Sequence, residues 1–305
     1  MAIATNTSLT YSSVAIREQL SDVIYNIAPM DTPFMSGCSK QTVDNTFFEW
    51  QTDSITAGAT NRKIEGDDSI AATARVLPTR LGNYAQISQY VNQTSGTDDA
   101  VNYAGHGKHQ AYQLAKNGKR MKRDMEGMLL ENIVRAAGNS TTARATAGVP
   151  AWLATNYVSM NPTSGSPAAG ATGTTAMTEA TATASITEAG IKNVIKDCYD
   201  AGGNPDLILA PSAIKQAISD LAQSVSSLRT NTKGDSPAHV VAAVDVYVSD
   251  FGTFRIVSDR NVKSTEHVFF LDMDFWAIGW LRPFQTVELA KTGDAQKQLL
   301  LAEYG

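Results

Sequence analysis

Charge, cysteine and long apolar runs are all scarce in this sequence. Charged residues make up 18% of the 305 positions, below the roughly 25% of an average soluble domain. The two cysteines, Cys38 and Cys198, lie far apart and outside any CxxC pair, which excludes a disulfide framework and argues against a zinc cage. No apolar stretch approaches the ~18–20 residues that cross a bilayer, and the opening MAIATNTSLTYSS lacks the pattern of a secretory signal. We therefore expect a chain from a reducing compartment, with both thiols packed as small apolar groups.

Catalytic signatures are missing as well. The chain contains no GxxxxGK[ST], HExxH or GxSxG pattern and no EF-hand loop. His106 and His109 are three residues apart and could share a helix face, but two histidines alone do not hold a metal ion. His239 and His267 are isolated in the sequence, so no Ser/His/Asp or Cys/His set can be assembled. We predict no enzymatic activity, no cofactor and no metal site.

The first half of the chain contains two segments that need a partner surface. Between about residues 13 and 27 apolar residues recur at helical spacing, which predicts a short amphipathic helix ended by Pro29 and Pro33. Two extended, aromatic-rich runs at about 43–51 and 73–92 flank a turn-like, charged stretch at 56–72, which predicts a long β-hairpin. A two-stranded ribbon is only marginally stable in water, so we expect it to pack on its own body or on a neighbour.

The longest predicted helix covers about residues 98–137 and is strongly two-sided. At ~100° per residue, alanine, leucine and methionine side chains gather on one side. An arc of about 160° facing away holds the basic residues of this helix, namely Lys108, Lys116, Lys119, Arg120, Lys122 and Arg123. Residues 101–135 carry a net charge of +4, whereas the rest of the chain carries −9. This face is either a solvated helix surface or a site of loose, sequence-independent contact with phosphate.

The second half alternates loops with compact segments. Residues 136–148 and 161–185 consist almost entirely of Ala, Gly, Ser, Thr, Pro and Asn, which is typical of loops. Residues 186–260 have the pattern of an α/β unit, in which the short strand DLILA lies between two amphipathic helices. The last 45 residues are strand-like and aromatic. With the preceding segments, this order predicts an α+β fold.

Several phrases in this order resemble the major capsid proteins of tailed bacteriophages, in particular the SU-ten-like major head protein family. They are IAPMDTPFMS at 27–36, FFEWQTD at 47–53, KRMKRDMEGMLL at 119–130, GVPAWLATN at 148–156, YDAGGNPDLILAPSAIKQAIS at 199–219 and VYVSDFGTFRIVSDRN at 246–261. Together they span nearly the whole chain in family order.

The resemblance implies the Hong Kong 97-type fold and a division of the chain. Residues 1–42 would form an N-terminal arm, 43–96 the β-hairpin called the E-loop, and 97–150 the peripheral domain with its long spine helix. Residues 151–262 would form the α/β axial domain around capsomer centres, and 263–305 the strands that complete the peripheral domain. Copies would assemble into hexamers and pentamers of an icosahedral or elongated head that encloses double-stranded DNA. Assembly in the bacterial host cytoplasm, a final location in the virion, no membrane contact, and portal, scaffolding or decoration proteins as further partners follow from the same resemblance.

Two surfaces are candidates for function under this interpretation. The hairpin tip, with Arg62, Lys63, Glu65, Asp67 and Asp68, would contact an adjacent copy, and the six basic helix residues would line the lumen and face DNA. Some relatives cross-link a hairpin lysine to an asparagine of a neighbour, but no matching asparagine and acid can be identified for Lys63. Two alternatives remain: an encapsulin-like compartment shell of the same fold, and another self-associating structural or surface protein.

Overall fold

The computed structural model describes residues 31–55, 58, 60, 62–66, 75–160, 170, 172–178, 185–225, 245–262 and 267–305. The amphipathic helix predicted at 13–27 lies outside these residues, as does most of the low-complexity stretch at 161–185. None of the helices in the described part of the chain is long and apolar enough to cross a membrane. The mixture of helices and sheets confirms the predicted α+β class.

A four-stranded sheet, here called the peripheral sheet, joins the two ends of the described chain. Its order is β1 (Ser39–Thr42), β9 (Ala277–Thr292), β10 (Ala295–Tyr304) and β4 (Gln86–Ser95). β1 runs parallel to β9, whereas β9, β10 and β4 are antiparallel. The sequence interpretation placed residues 86–92 in the hairpin, but β4 pairs along its whole length with β10. One face of β4 is buried in this sheet, including Asn92 and Thr94, while the residues between and beside them stay exposed.

The hairpin itself consists of β2 (Phe47–Thr52) and β3 (Thr79–Tyr84), which pair antiparallel from Phe47↔Tyr84 to Thr52↔Thr79. It follows α1 (Pro33–Gly37), a single helical turn with proline at its start. Between Thr52 and Thr79 the residues that the structure describes are all exposed, among them Ile55, Ile64 and Leu77.

The long helix is shorter than the sequence predicts. A one-turn helix, α2 (Gly96–Ala100), is capped by Ser95, whose hydroxyl accepts the N–H of Asp98 at 3.1 Å. An irregular stretch follows, in which Gly105 has a φ of +82° that only glycine adopts readily. The main helix, α3 (His109–Leu129), then runs for 21 residues along β4 and β10. The prediction of one helix over 98–137 is wrong at both ends, because glycine breaks its start and extended chain begins soon after Leu129.

A second four-stranded sheet, here called the axial sheet, forms the α/β unit. Its order is β6 (Val246–Ser249), β7 (Gly252–Ser258), β5 (Leu207–Ala210) and β8 (Phe269–Leu271). α4 (Glu188–Asp200) and α5 (Ser212–Val225) contribute to the apolar cluster on one of its faces. β8 pairs with β5, although the sequence interpretation grouped residues 263–305 with the peripheral strands. Phe270 packs on this cluster, whereas Phe269 and Leu271 contribute to a second, larger apolar cluster.

The larger apolar cluster holds the peripheral and axial parts together. It combines Phe34 from α1, Met125 from α3, Leu209 from β5 and Tyr304 from β10, all nearly or completely buried. Because α1, α3, β5, β8, β9 and β10 all supply buried side chains to this cluster, the two sheets share one core.

Gly148 lies where no larger residue fits. Its N–H donates to the carbonyl of Ile133 at 2.9 Å, and an added Cβ would overlap the carbonyl oxygen of Glu131 and lie 3.2 Å from that of Leu129. Gly148→Ala is therefore expected to lower the free energy of unfolding by about 3 kcal/mol, since backbone must move. Chemical unfolding measures this loss. Gly107→Ala, where no atom lies within 4 Å of the new methyl group, is the control, and equal stability of the two variants would contradict the prediction.

Candidate functional site

Five of the six basic residues predicted to share a helix side lie on α3, and Lys108 directly precedes this helix. Lys108, Lys116, Lys119, Arg120 and Lys122 are exposed, and Arg123 is half-buried. The opposite side of α3 packs Met121, Met125 and Leu129 into the larger apolar cluster. We call the six basic residues the basic face. The amphipathic pattern of α3 thus fixes which side chains remain free to meet solvent or a charged partner.

Four of the six basic side chains are held by neighbours. The Arg120 guanidinium lies 4.7 Å from the centre of the Tyr90 ring, and the Lys122 ammonium lies 5.9 Å from that of Phe284. Arg123 is 3.5 Å from the carboxylate of Asp124. The remaining member of this group, Lys108, lies 3.5 Å from the carboxylate of Asp99 and donates to its backbone carbonyl at 3.0 Å.

Lys116 and Lys119 differ from the other four residues of the basic face in having no such neighbour among the described residues. Both are exposed near the middle of α3, and neither forms an ion pair with any residue that the structure describes. Their charge is therefore the part of the basic face most available to an anionic partner.

The base of the hairpin is anchored to the peripheral part by several independent contacts. Arg135 donates to the carbonyl of Gly82 and places its guanidinium 5.5 Å from the centre of the Phe47 ring. The Trp50 ring lies 5.2 Å from that of Trp152. The side-chain amide of Asn83 donates to Thr146 at 2.9 Å. The direction in which the hairpin leaves the sheet is therefore fixed by packing.

The far end of the hairpin has apolar side chains that nothing in the described chain covers. Ile55 is 99% exposed and Ile64 is 83% exposed. Arg62, Lys63 and Glu65 of the hairpin tip are exposed beside Ile64, whereas Asp67 and Asp68 lie outside the described residues. Large, fully exposed aliphatic side chains on a projecting arm are typical of a surface that another molecule covers.

A buried carboxyl cluster was missed in the sequence. Glu126 on α3 has no exposed surface, and its two carboxylate oxygens accept the backbone N–H groups of Phe34 at 2.7 Å and Met35 at 2.8 Å. Asp259, just after β7, is 2% exposed and accepts from the backbone and side chain of Asn261 at 2.8 and 3.0 Å. Each of these two buried carboxyl groups influences the ionisation of the other.

Burial perturbs the acid–base properties of this cluster. Loss of hydration raises the pKa of Glu126 to about 7, and the negative charge of Asp259 adds to this effect. Desolvation also raises the pKa of Asp259. Burial, followed by the charge of Glu126, raises the pKa of the nearby Cys38 thiol to about 12. Cys38 is thus a neutral, buried group, as the sequence predicts for a small apolar residue, whereas Cys198 is only partly buried.

The histidine pair forms a local cluster with aromatic neighbours. Nε2 of His106 lies 3.1 Å from Nδ1 of His109, and the ring of Tyr103 stacks 4.8 Å from that of His106. Within the described residues, no three His, Cys, Asp or Glu side chains converge as a metal-binding group.

Comparisons with known proteins show the family and the fold of this chain. A model of the family described as SU10 major capsid protein matches residues 3–305. The major capsid protein of Escherichia phage Phieco32 is 27% identical over 314 residues, covering 92% of this chain and 87% of that protein. Among solved structures, the cyanophage A-1(L) capsid matches with a TM-score of 0.67 at 11% identity, covering 95% of this chain and 92% of that one. The capsid of the native GTA particle matches with a TM-score of 0.57 at 12% identity, covering 99% and 95%.

These structural neighbours confirm the Hong Kong 97-type fold. The family model and the phage relative favour a phage capsid protein over an encapsulin-like compartment and over a fibre or surface-layer protein. Because the family model spans nearly the whole sequence, this chain belongs to the SU10 major capsid protein family.

Proposed function

We propose that this chain is the shell subunit of a tailed, double-stranded DNA phage head. In this proposal the hairpin tip contacts an adjacent copy and the basic face turns toward packaged DNA. Copies form hexamers and pentamers in the bacterial host cytoplasm, with portal, scaffolding or decoration proteins as further partners, and the product is the virion capsid.

The observation that carries the proposal is the uncovered hairpin. A monomer leaves Ile55 and Ile64 in water, and burying each against a neighbour would contribute roughly 1.5–3 kcal/mol. A second copy is the partner that always accompanies this surface, because identical chains are synthesised together. Contacts in which the arm of one copy lies on the body of the next repeat from subunit to subunit, and they form rings where the rotation between copies closes.

The charge distribution supports the orientation of the basic face. The chain carries −5 overall, so its outer surfaces repel polyanions, while the basic face offers each copy a local positive surface. Weak phosphate contacts repeated over many copies neutralise DNA charge without binding any sequence. A shell protein needs such loose contact because the packaged DNA must be able to slide.

Electron microscopy of the purified full-length protein tests the proposal directly. We expect closed shells or their hexameric and pentameric fragments. Dissociated subunits should give a radius of gyration above the ~19 Å of a compact chain of this length in X-ray scattering. A rounded particle that stays single at high concentration would contradict the proposal.

A further inference from the structure

Asp259 has an oxygen that the rest of the described structure leaves without a donor. Its Oδ1 receives both hydrogen bonds from Asn261, while its Oδ2 is buried and has no hydrogen-bond partner. A buried carboxylate oxygen without a donor costs considerable free energy. The group it meets is the carboxyl of Glu126, and an ionised carboxylate can only accept. Two ionised carboxylates in this position would repel each other with no donor between them.

We propose that Glu126 and Asp259 form a binding site for a single proton, and that this proton fastens the segment 31–38 between α3 and the axial sheet. The proton comes from solvent and lies on Glu126, whose O–H donates to Oδ2 of Asp259. The pair then carries one negative charge, and Oδ2 of Asp259 gains its missing donor.

Three parts of the fold meet at this proton. Glu126 belongs to α3 and accepts from the backbone of Phe34 and Met35 at 2.7 and 2.8 Å. Asp259 follows β7 of the axial sheet, and its backbone N–H donates to Ala210 of β5 at 3.0 Å. Asn261 extends the connection back to the segment, because its side-chain amide donates to the carbonyl of Asp31 at 2.9 Å. The segment 31–38 is also where the first thirty residues join the rest of the chain.

No cation neutralises the pair. On the α1 side the titratable neighbour of Glu126 is the Cys38 thiol, which stays neutral. On the axial side, the neighbour of Asp259 is Arg260, which contributes its backbone N–H and whose side chain is exposed. On α3 itself, the adjacent charged residues Arg123 and Asp124 face each other at 3.5 Å. Among the described residues, neither Glu126 nor Asp259 forms an ion pair.

The sign of the pH effect follows from the direction of the shift. The pKa of Glu126 is about 7 in the folded protein, above its ordinary value of 4.5. Between these values the folded chain holds a proton that the unfolded chain has released, so this group makes stability fall as pH rises through the window. Above about pH 7 the pair carries two negative charges, and the attachment of segment 31–38 should loosen.

Asp259→Asn separates this proposal from a merely structural role. The amide oxygen replaces Oδ1 toward Asn261, and the amide N–H₂ replaces Oδ2 and donates to Glu126 at every pH. At about pH 5 the variant and the natural protein should unfold at similar temperatures, whereas at about pH 8.5 the variant should unfold about 5 °C higher. Hydrogen exchange of the 31–38 amides, corrected for the intrinsic rate, should accelerate above neutral pH in the natural protein and not in the variant.

Glu126→Gln and Asp220→Asn complete the comparison. In Glu126→Gln one oxygen that accepts a backbone N–H becomes an N–H₂ group, so this variant should be less stable already at acid pH and should show a flattened pH profile. Asp220 is exposed on α5, so its variant should follow the natural profile.

Parallel pH profiles for Asp259→Asn and the natural protein would overturn the proposal. If Asp259→Asn fails to fold, infrared spectroscopy of the natural protein tests whether the carboxyl pair holds a proton. A C=O band of a protonated carboxyl should persist near pH 6 and disappear by about pH 8.5. Its absence near pH 6 would equally overturn the proposal.

Discussion

A subunit whose hairpin is cut back should fold normally and yet fail to build shells. The variant replaces residues 53–78 with Asn-Gly, a two-residue turn that closes an antiparallel ribbon after Thr52↔Thr79. The removed stretch includes Ile55, Ile64 and Leu77, all largely exposed, and every other residue of it that the structure describes is exposed as well, so the core loses none of the described side chains. Assembly loses the apolar arm that we assign to the neighbouring copy. Electron microscopy and sedimentation should show no closed shells, while the melting temperature stays within a few degrees of the natural protein's.

A milder variant serves as the matched control for the deletion. Ile55→Ser together with Ile64→Ser keeps the length of the hairpin and removes only the apolar side chains. We expect it to raise the protein concentration needed for assembly, because the arm still reaches the neighbour but buries less apolar area. Shells of normal size and yield from the shortened hairpin would show that the arm makes no essential contact between copies.

Local sequence patterns predict the individual helices and strands of this fold better than they predict which strands pair with each other. Apolar spacing located the amphipathic face of α3, and aromatic, β-branched runs located β2 and the C-terminal strands. The assignment of β4 to the hairpin was wrong because alternation shows that one face of a strand is buried and does not show against what. The grouping of β8 differs for the same reason, since its pairing with β5 joins residues sixty or more positions apart.

In the candidate site, too, the part that depends on one helix could be predicted from the sequence, and the part that depends on distant contacts could not. The basic face needs only the geometry of one helix, so the sequence predicts it well. Glu126 follows Lys119 by seven residues, and at ~100° per residue the two fall within about 20° of each other. A helical wheel therefore places Glu126 on the solvent side with the lysines. It is buried because residues 33–35 and Asp259, both distant in sequence, cover the last turns of α3, and no local signal indicates that contact.

Reversing the charge of the two unpaired lysines of the basic face should lower the amount of packaged DNA without preventing shell assembly. Lys116→Glu together with Lys119→Glu takes residues 101–135 from a net charge of +4 to about zero, so each copy loses its local positive surface. Both side chains are exposed and form no ion pair within the described part of the chain, which leaves the packing of α3 intact. In the full phage context, we expect the DNA content per particle to fall several-fold relative to the natural phage, with a smaller difference at higher salt because salt also weakens the natural phosphate contacts. Quantitative amplification of nuclease-protected DNA and the ratio of filled to empty particles in electron micrographs measure it.

The same double reversal on another helix distinguishes this effect from a general loss of positive charge. Lys192 and Lys196 lie on α4, are each about 60% exposed and pair with Glu188 and Asp200 at one helical turn, contacts that contribute only roughly 0.3–0.5 kcal/mol each. Their replacement by glutamate changes the net charge of the subunit by the same amount as the variant on α3. If the basic face meets DNA, only the α3 variant should lose packaged DNA. A normal DNA content in Lys116→Glu, Lys119→Glu particles would leave the basic face as a solvated helix surface with no part in holding the genome.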